Sequence, residues 1–251
     1  DLHVGSRRQR QMCIRDSLEL PVKNKKKALL MLPFQIEEDL PFSLNECRWA
    51  DSTELNGEVT RSIVGIVKDR HFNEFYDLLK SHQIHPHILT SDTANFNGSM
   101  SYSKENFPKS CCIINLGHET TRGFYFYNGQ IVSNHHSYIA GDYITREISK
   151  NYSISYDEAT TYKHQNSFLL LEEQYGQVND NQKEFAKMMD STLALLLSEI
   201  KRWDIGHRVK FGEAIQEIYI CGGTSNIKNM KNYLSSKPVS YTHLRAHETR
   251  H

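Results

Sequence analysis

The sequence predicts an α/β protein with a mixed sheet and helices on its faces. Three observations carry that prediction. Cys112–Leu116, Gly123–Tyr127 and Gln130–Tyr138 are short apolar or aromatic runs in close succession, the last two joined by Asn128-Gly129. Helical patterns follow at about 141–151, 155–166 and 180–204. A further apolar run, Glu217–Cys221, meets Gly222-Gly223 and leads into a last helix at Ile227–Leu234.

The elements can be justified in chain order. The opening DLHVGSRRQRQMCIRDS and the closing VSYTHLRAHETRH fit no periodic element and resemble translated adapter or vector sequence. Residues 1–17 and 239–251 are therefore expected to be artefacts, with the native protein cut at both ends. Residues 23–39 read as helix, with Pro33 implying a kink or a fresh start because proline lacks an amide donor. Asn45–Asp51 and Arg61–Val67 read as strands turning at Asn56-Gly57. Phe72, Phe75, Tyr76 and Leu79 recur at helical spacing over 70–82, and a short strand is expected at His87–Thr90. Ser91–Ser110 is polar and is the best boundary between two halves. Ser155 and Glu158 predict a capping box. Phe185, Met189, Leu193, Leu196, Ile200 and Trp203 form the apolar face of the long helix.

Composition excludes several functions. Lysine plus arginine equals aspartate plus glutamate, 30 against 30 in 251 residues, so no basic nucleic-acid surface is expected. No apolar run approaches the roughly 20 residues that span a bilayer. Five cysteines without a C-x-x-C pair fit a reducing compartment better than zinc or disulfides. His82, His85 and His87 flank a proline, and His135-His136 alternate across a strand, so neither group suggests a metal. Lys23 and Lys25–Lys27 read as a solvated basic run.

Two stretches carry candidate chemistry. In INLGHETT a strand ends at Leu116, and Gly117 permits a sharp turn with positive φ. Successive amides there, with the Thr120 and Thr121 hydroxyls, suit a phosphate; a plain hairpin with a solvated tip fits the same residues. In EIYICGGTSNIKNMKNYL the glycines let a ligand approach the backbone, and a helix starting after Thr224 and Ser225 favours an anion. A simple strand-to-helix connection fits that stretch equally.

The two stretches in this order, about a hundred residues apart, resemble the second half of actin-like ATPases. IINLGHETTRGFYFYNGQIV…YIAGDYITREISKNYSISYDEAT is similar to the FtsA/PilM branch, with Ala140-Gly141-Asp142 at its strand-to-helix turn. MLPFQIEEDLPFSLNECRWA, SIVGIVKD and HPHILTSD resemble the subdomain that PilM shares with the cytoplasmic domain of GspL. The resemblance covers roughly residues 18–237. It implies an actin-like ATPase (ribonuclease H-like) fold, with 18–92 as the remainder of a first lobe and 93–238 as the second. It implies an ATP site, with Mg²⁺, at Asn115, Gly117, Thr120, Thr121, Gly222, Gly223 and Thr224. It also implies a cytoplasmic adaptor at the inner-membrane face of a type II secretion or type IV pilus platform. Its partners there would be a PilN- or GspM-like membrane protein and a GspE-like assembly ATPase.

The sequence departs from that pattern where chemistry matters. Asn115 stands where nucleotide-hydrolysing relatives carry aspartate, and asparagine brings no charge to offset Mg²⁺. His118 replaces a small residue. The family's first phosphate hairpin, expected before residue 18, is absent from this chain. A scaffold is therefore expected rather than an enzyme, with a filament-forming FtsA-like ATPase or a sugar kinase as the alternative and a merely fold-deep likeness as the third. Phe34, Glu37, Glu38, Phe42 and Trp49 offer apolar anchors beside acidic groups for a partner, or else pack their own subdomain.

Overall fold

The computed structural model describes residues 13–103, 106–237 and 243–246. The chain divides into two compact units, Asp1–Ser103 and Lys104–His251.

In the first unit β1 (Cys13–Leu20), β2 (Cys47–Asn56) and β3 (Val59–Lys68) form an antiparallel sheet ordered β1-β3-β2. β1 thus begins inside the opening segment that fitted no periodic element. Alternation along β3 buries Thr60, Ser62, Val64 and Ile66. Val64 and Ile66 pack with Leu20 and with Ala28, Leu32 and Ile36 of helix α1 (Lys25–Asp39). Asn24 caps α1, accepting from the amides of Lys26 and Lys27. The helix continues through Pro33, because buried Leu32 and Ile36 hold both sides of it against the sheet. The β2–β3 turn is Gly57-Glu58, one residue later than expected. Asn56 pairs with Val59, and Gly57 takes φ +62°.

Helix α2 (Asp69–Ser81) is amphipathic as its spacing predicted, yet it buries no residue. Helix α3 (Asp92–Tyr102) follows, capped by the Ser91 hydroxyl. No strand forms over 87–90. Pro86 withholds a donor, and Ile88 is 80% exposed and Leu89 41% exposed, with no ladder partner among the described residues.

The second unit holds β4 (Ser110–Leu116), β5 (Thr121–Tyr127), β6 (Gln130–Ser137), α4 (Gly141–Tyr152), α5 (Tyr156–Asn166), α6 (Asp180–Phe211), β7 (Glu217–Cys221), α7 (Met230–Ser236) and β8 (His243–Ala246). Its sheet is ordered β6-β5-β4-β7-β8; β4, β5 and β6 are antiparallel, and β7 runs parallel to both β4 and β8. β8 lies in the closing segment that had been set aside. Asn128 (φ +53°) and Gly129 (φ +75°) make the two-residue β5–β6 turn.

Phe185, Met189, Leu193, Leu196, Ile200 and Trp203 of α6 are buried in the main core with Cys112, Ile114 and Tyr125. Trp203 stacks on His135 at 5.4 Å, and a Cβ at Gly123 would sit 3.0 Å from its indole, so this strand glycine makes room for the ring. The helix extends beyond the expected 204, because His207 and Phe211 pack on Tyr127 before Gly212 ends it in the left-handed conformation. The Ser155–Glu158 capping box opens α5.

Candidate functional site

The site is built around the tip of the β4–β5 hairpin. Asn115 sits opposite Arg122 of β5 and Cys221 of β7. The Gly117 amide donates to the Thr120 carbonyl at 3.1 Å and closes the tip. Gly117 does not take the positive φ that was expected. Glycine is needed there for a different reason, since a Cβ would lie 2.6 Å from the Thr120 carbonyl oxygen. Thr120 is half-buried on the tip. Thr121 is fully buried, and its hydroxyl donates to the Ile139 carbonyl at 2.8 Å, so that group is used inside the protein rather than offered to a phosphate.

Two segments meet on this tip. The amides of Gly141 and Asp142, at the start of α4, donate to the carbonyls of Gly117 and His118 at 3.0 and 2.7 Å. The Thr224 hydroxyl donates to the Gly117 carbonyl at 2.7 Å. A Cβ at Gly141 would lie 2.6 Å from the Thr224 hydroxyl oxygen. Gly222 holds φ +91°, and a Cβ there would collide with the Asn115 side chain and the Leu116 carbonyl. Gly223 has open space around it.

The expected helix does not start after Thr224 and Ser225. The Ser225 and Ile227 amides close 3₁₀ bonds to Gly222 and Thr224, the Leu169 amide bonds to the Lys228 carbonyl and Asn229 takes φ +71°, so α7 starts only at Met230. α7 has seven residues and no side-chain cap, so no long helix presents its amino terminus to a ligand here. The Asn229 amide group instead donates to the Leu169 carbonyl and to Gln174.

Beside the tip lies a cleft of about 1200 Å³ between α5, the 167–182 segment and the 223–232 segment. His118, Gly223 and Thr224 line it; Asn115, Gly117, Thr120, Thr121 and Gly222 do not. The rest of the lining mixes carboxamides, among them Gln165, Asn166, Gln174 and Asn226, with the apolar Phe168, Leu169, Leu170, Val178 and Ile227.

The residue that sequence reasoning missed is Lys163. It is 6% exposed, lines the cleft, and donates to the Gly141 carbonyl at 2.8 Å and the Thr145 hydroxyl at 2.6 Å. Burial lowers its pKa, with the Asp142 charge acting in the opposite direction. An ammonium carries three donors, and these two bonds use two of them. The sequence signal was weak: Lys163 stands four residues after Ala159, the other buried position of an otherwise polar helix.

At the rim, Asp142 accepts from Tyr156 at 2.6 Å and from Arg146 at 2.9 Å. Burial opposes its ionisation, but these two donors outweigh that and hold its carboxyl below the ordinary value. The same bond raises the Tyr156 phenol, whose oxygen lies 3.5 Å from His118 Nε2.

This cleft suits a polar, anionic ligand and does not suit Mg²⁺. Protein-bound Mg²⁺ uses one or two carboxylates. Among the described residues lining the cleft there is no aspartate or glutamate, and Asn115 has no charge. No group of three metal-ligating side chains occurs among the described residues.

The expected partner residues lie in the first unit. Phe34 is 73% exposed on α1, as is Leu30 one turn before it, and Glu37 and Glu38 are exposed on the same helix. Phe42 and Trp49 are only half-exposed: Lys68 caps the Phe42 ring at 3.9 Å, and Trp49 packs on the α1 core. Both therefore also make contacts within their own subdomain.

No family model matches the chain, and no curated protein does. Solved structures do. A chain of the PilM–PilN type IV pilus biogenesis complex superposes with a TM-score of 0.71 at 14% identity, covering 93% of this chain. The chain has the actin-like fold. It spans 66% of that relative's length. MreB5 of Spiroplasma citri bound to AMPPNP superposes with a TM-score of 0.52 at 14% identity, over 72% of this chain and 60% of that one.

Proposed function

We propose that this chain is an adaptor of a bacterial type IV pilus or type II secretion platform. It holds the cytoplasmic tail of a PilN- or GspM-like inner-membrane protein and presents it to the assembly ATPase. The similarity to a chain of a PilM–PilN complex supports this reading, and one feature of the first unit carries it. Leu30 and Phe34 stand exposed one turn apart on α1, directly before the Glu37 and Glu38 carboxylates. Such a face takes a short segment with an apolar anchor followed by a basic residue. No helix among the described residues is long and apolar enough to cross a membrane.

Calorimetry with a peptide of a PilN-type cytoplasmic tail tests the assignment. Phe34→Ser is expected to weaken binding about tenfold or more with the circular dichroism unchanged. Equal affinity in the variant would remove α1 as the docking face.

The second unit's cleft is assigned to a nucleotide that is bound and not hydrolysed. The buried Lys163 ammonium and the polar lining support binding, as does the likeness to MreB5 with AMPPNP. The neutral Asn115 argues against turnover. Phosphate release from ATP at no more than the background rate is the expected result; sustained release would favour the enzyme reading.

A further inference from the structure

Actin-like nucleotide sites are expected to use Mg²⁺, and this cleft lacks the groups that would hold it. We propose that the cleft binds its nucleotide without a divalent cation, the phosphate charge being met by protein cations, above all Lys163. The inference rests on the assignment of the cleft to a nucleotide and concerns how the charge of that ligand is balanced.

Three independent features lead there. The strand end that would bring a carboxylate brings Asn115, and its side chain is pressed against Gly222, where even a Cβ would not fit. The described residues lining the cleft carry no carboxylate, while Lys163, Lys228, His118 and His164 are all on its walls. Asp142, whose Tyr156 partner reaches His118 on the cleft wall, has both oxygens engaged, one by Tyr156 and one by Arg146. A bridging Mg²⁺ would therefore meet carboxamides, hydroxyls and cations, a poor set for a hard dication that prefers charged oxygen.

Lys163 has the opposite character. Its charge is already desolvated, and its two bonds go to a neutral carbonyl and a neutral hydroxyl, so no acid among the described residues is in direct contact with it. An oxyanion on its remaining donor would form a charge-assisted bond in a site shielded from water. That bond replaces in function the metal that the lining cannot hold.

The test is titration of the purified chain with ATP and with ADP, in EDTA and in excess Mg²⁺, followed by calorimetry. The expected result is binding in both media with dissociation constants within about threefold of each other. Binding in Mg²⁺ alone would overturn the metal-free inference and leave the nucleotide assignment standing. Binding in neither medium would overturn both.

Two variants sharpen the result. Lys163→Met is expected to lose about tenfold or more in affinity in EDTA, and Lys163→Arg to retain most of it. If the Met variant fails to fold, Asn115→Asp supplies the answer from the other side. A carboxylate there should weaken binding in EDTA and make it respond to Mg²⁺, and an affinity unaffected by Mg²⁺ in this variant would count against the account.

Discussion

Helices α2 and α6 carry the same kind of sequence signal and have opposite fates. Both place large apolar side chains at helical spacing. α6 buries Phe185, Met189, Leu193, Leu196, Ile200 and Trp203, whereas on α2 Phe72, Tyr76 and Leu79 are only half-buried and Phe75 is 51% exposed. The difference lies in what each helix has opposite it. α6 faces a five-stranded sheet whose Gly123 leaves room for an indole. α2 is tied by polar and ring contacts at its start, where Arg48 bonds to Asp69 at 3.0 Å and lies over Phe72 at 4.1 Å. Periodicity reports that a face exists, not that something covers it.

The comparison can be broken most severely at Trp203. Trp203→Ala should cost about 3–5 kcal/mol of stability in urea unfolding, since it empties the space over Gly123. A loss comparable to that of a surface substitution would mean that α6 is no better anchored than α2.

A similar contrast exists between adjacent residues. Gly222→Ala must hold φ +91° and meet the Leu116 carbonyl, and is expected to cost about 2–4 kcal/mol. Gly223→Ala meets nothing and should be near neutral. Equal melting temperatures for the two variants would disprove the packing account of the tip.

His207 sharpens the comparison through pH. It is 3% exposed on α6, bonded to Ser110 at 2.8 Å, and its Nδ1 has no hydrogen-bond partner among the described residues. Burial lowers its pKa, the Asp204 and Glu213 carboxylates pull the other way, and His135 and Lys210 reinforce the lowering. The unfolded chain therefore takes up this proton at a higher pH than the folded one. Stability should be full above the ordinary histidine value of about 6.5 and fall as pH drops through it towards the depressed folded value. His207→Phe should lose most of that extra slope in urea titrations at several pH values. An identical slope in the variant would clear His207 of the role.

The smallest effect is expected on α2. Phe75→Ser should change stability by no more than about 0.5 kcal/mol, because the side chain is half in water already.

Local chemistry made some features legible. The Asn128-Gly129 turn and the Ser155–Glu158 box were readable because each is fixed within a few residues. The α6 face was readable because its partner is large. Features set by distant chain were not. Gly117 was expected to serve a positive φ, whereas it serves a close approach to Thr120. The helix expected after Thr224 is delayed by a bond between Leu169 and Lys228. The end of α6 depended on Tyr127, although Gly212 was a usable stop signal. Lys163 was hidden because a single lysine in a polar helix carries no periodicity.

The position of β4 has a consequence for how the molecule comes into being. Its antiparallel neighbour is a few residues away, but its parallel neighbour β7 begins at Glu217, and Asn115 meets Cys221 only when that strand arrives. Chain closure over such a separation is slow compared with hairpin formation, and synthesis delivers the amino-terminal part first. Everything from β4 to α6 leaves the ribosome before the residues that complete the cleft. The cleft thus forms only after most of this unit has been made, once β4 has met its distant neighbour β7.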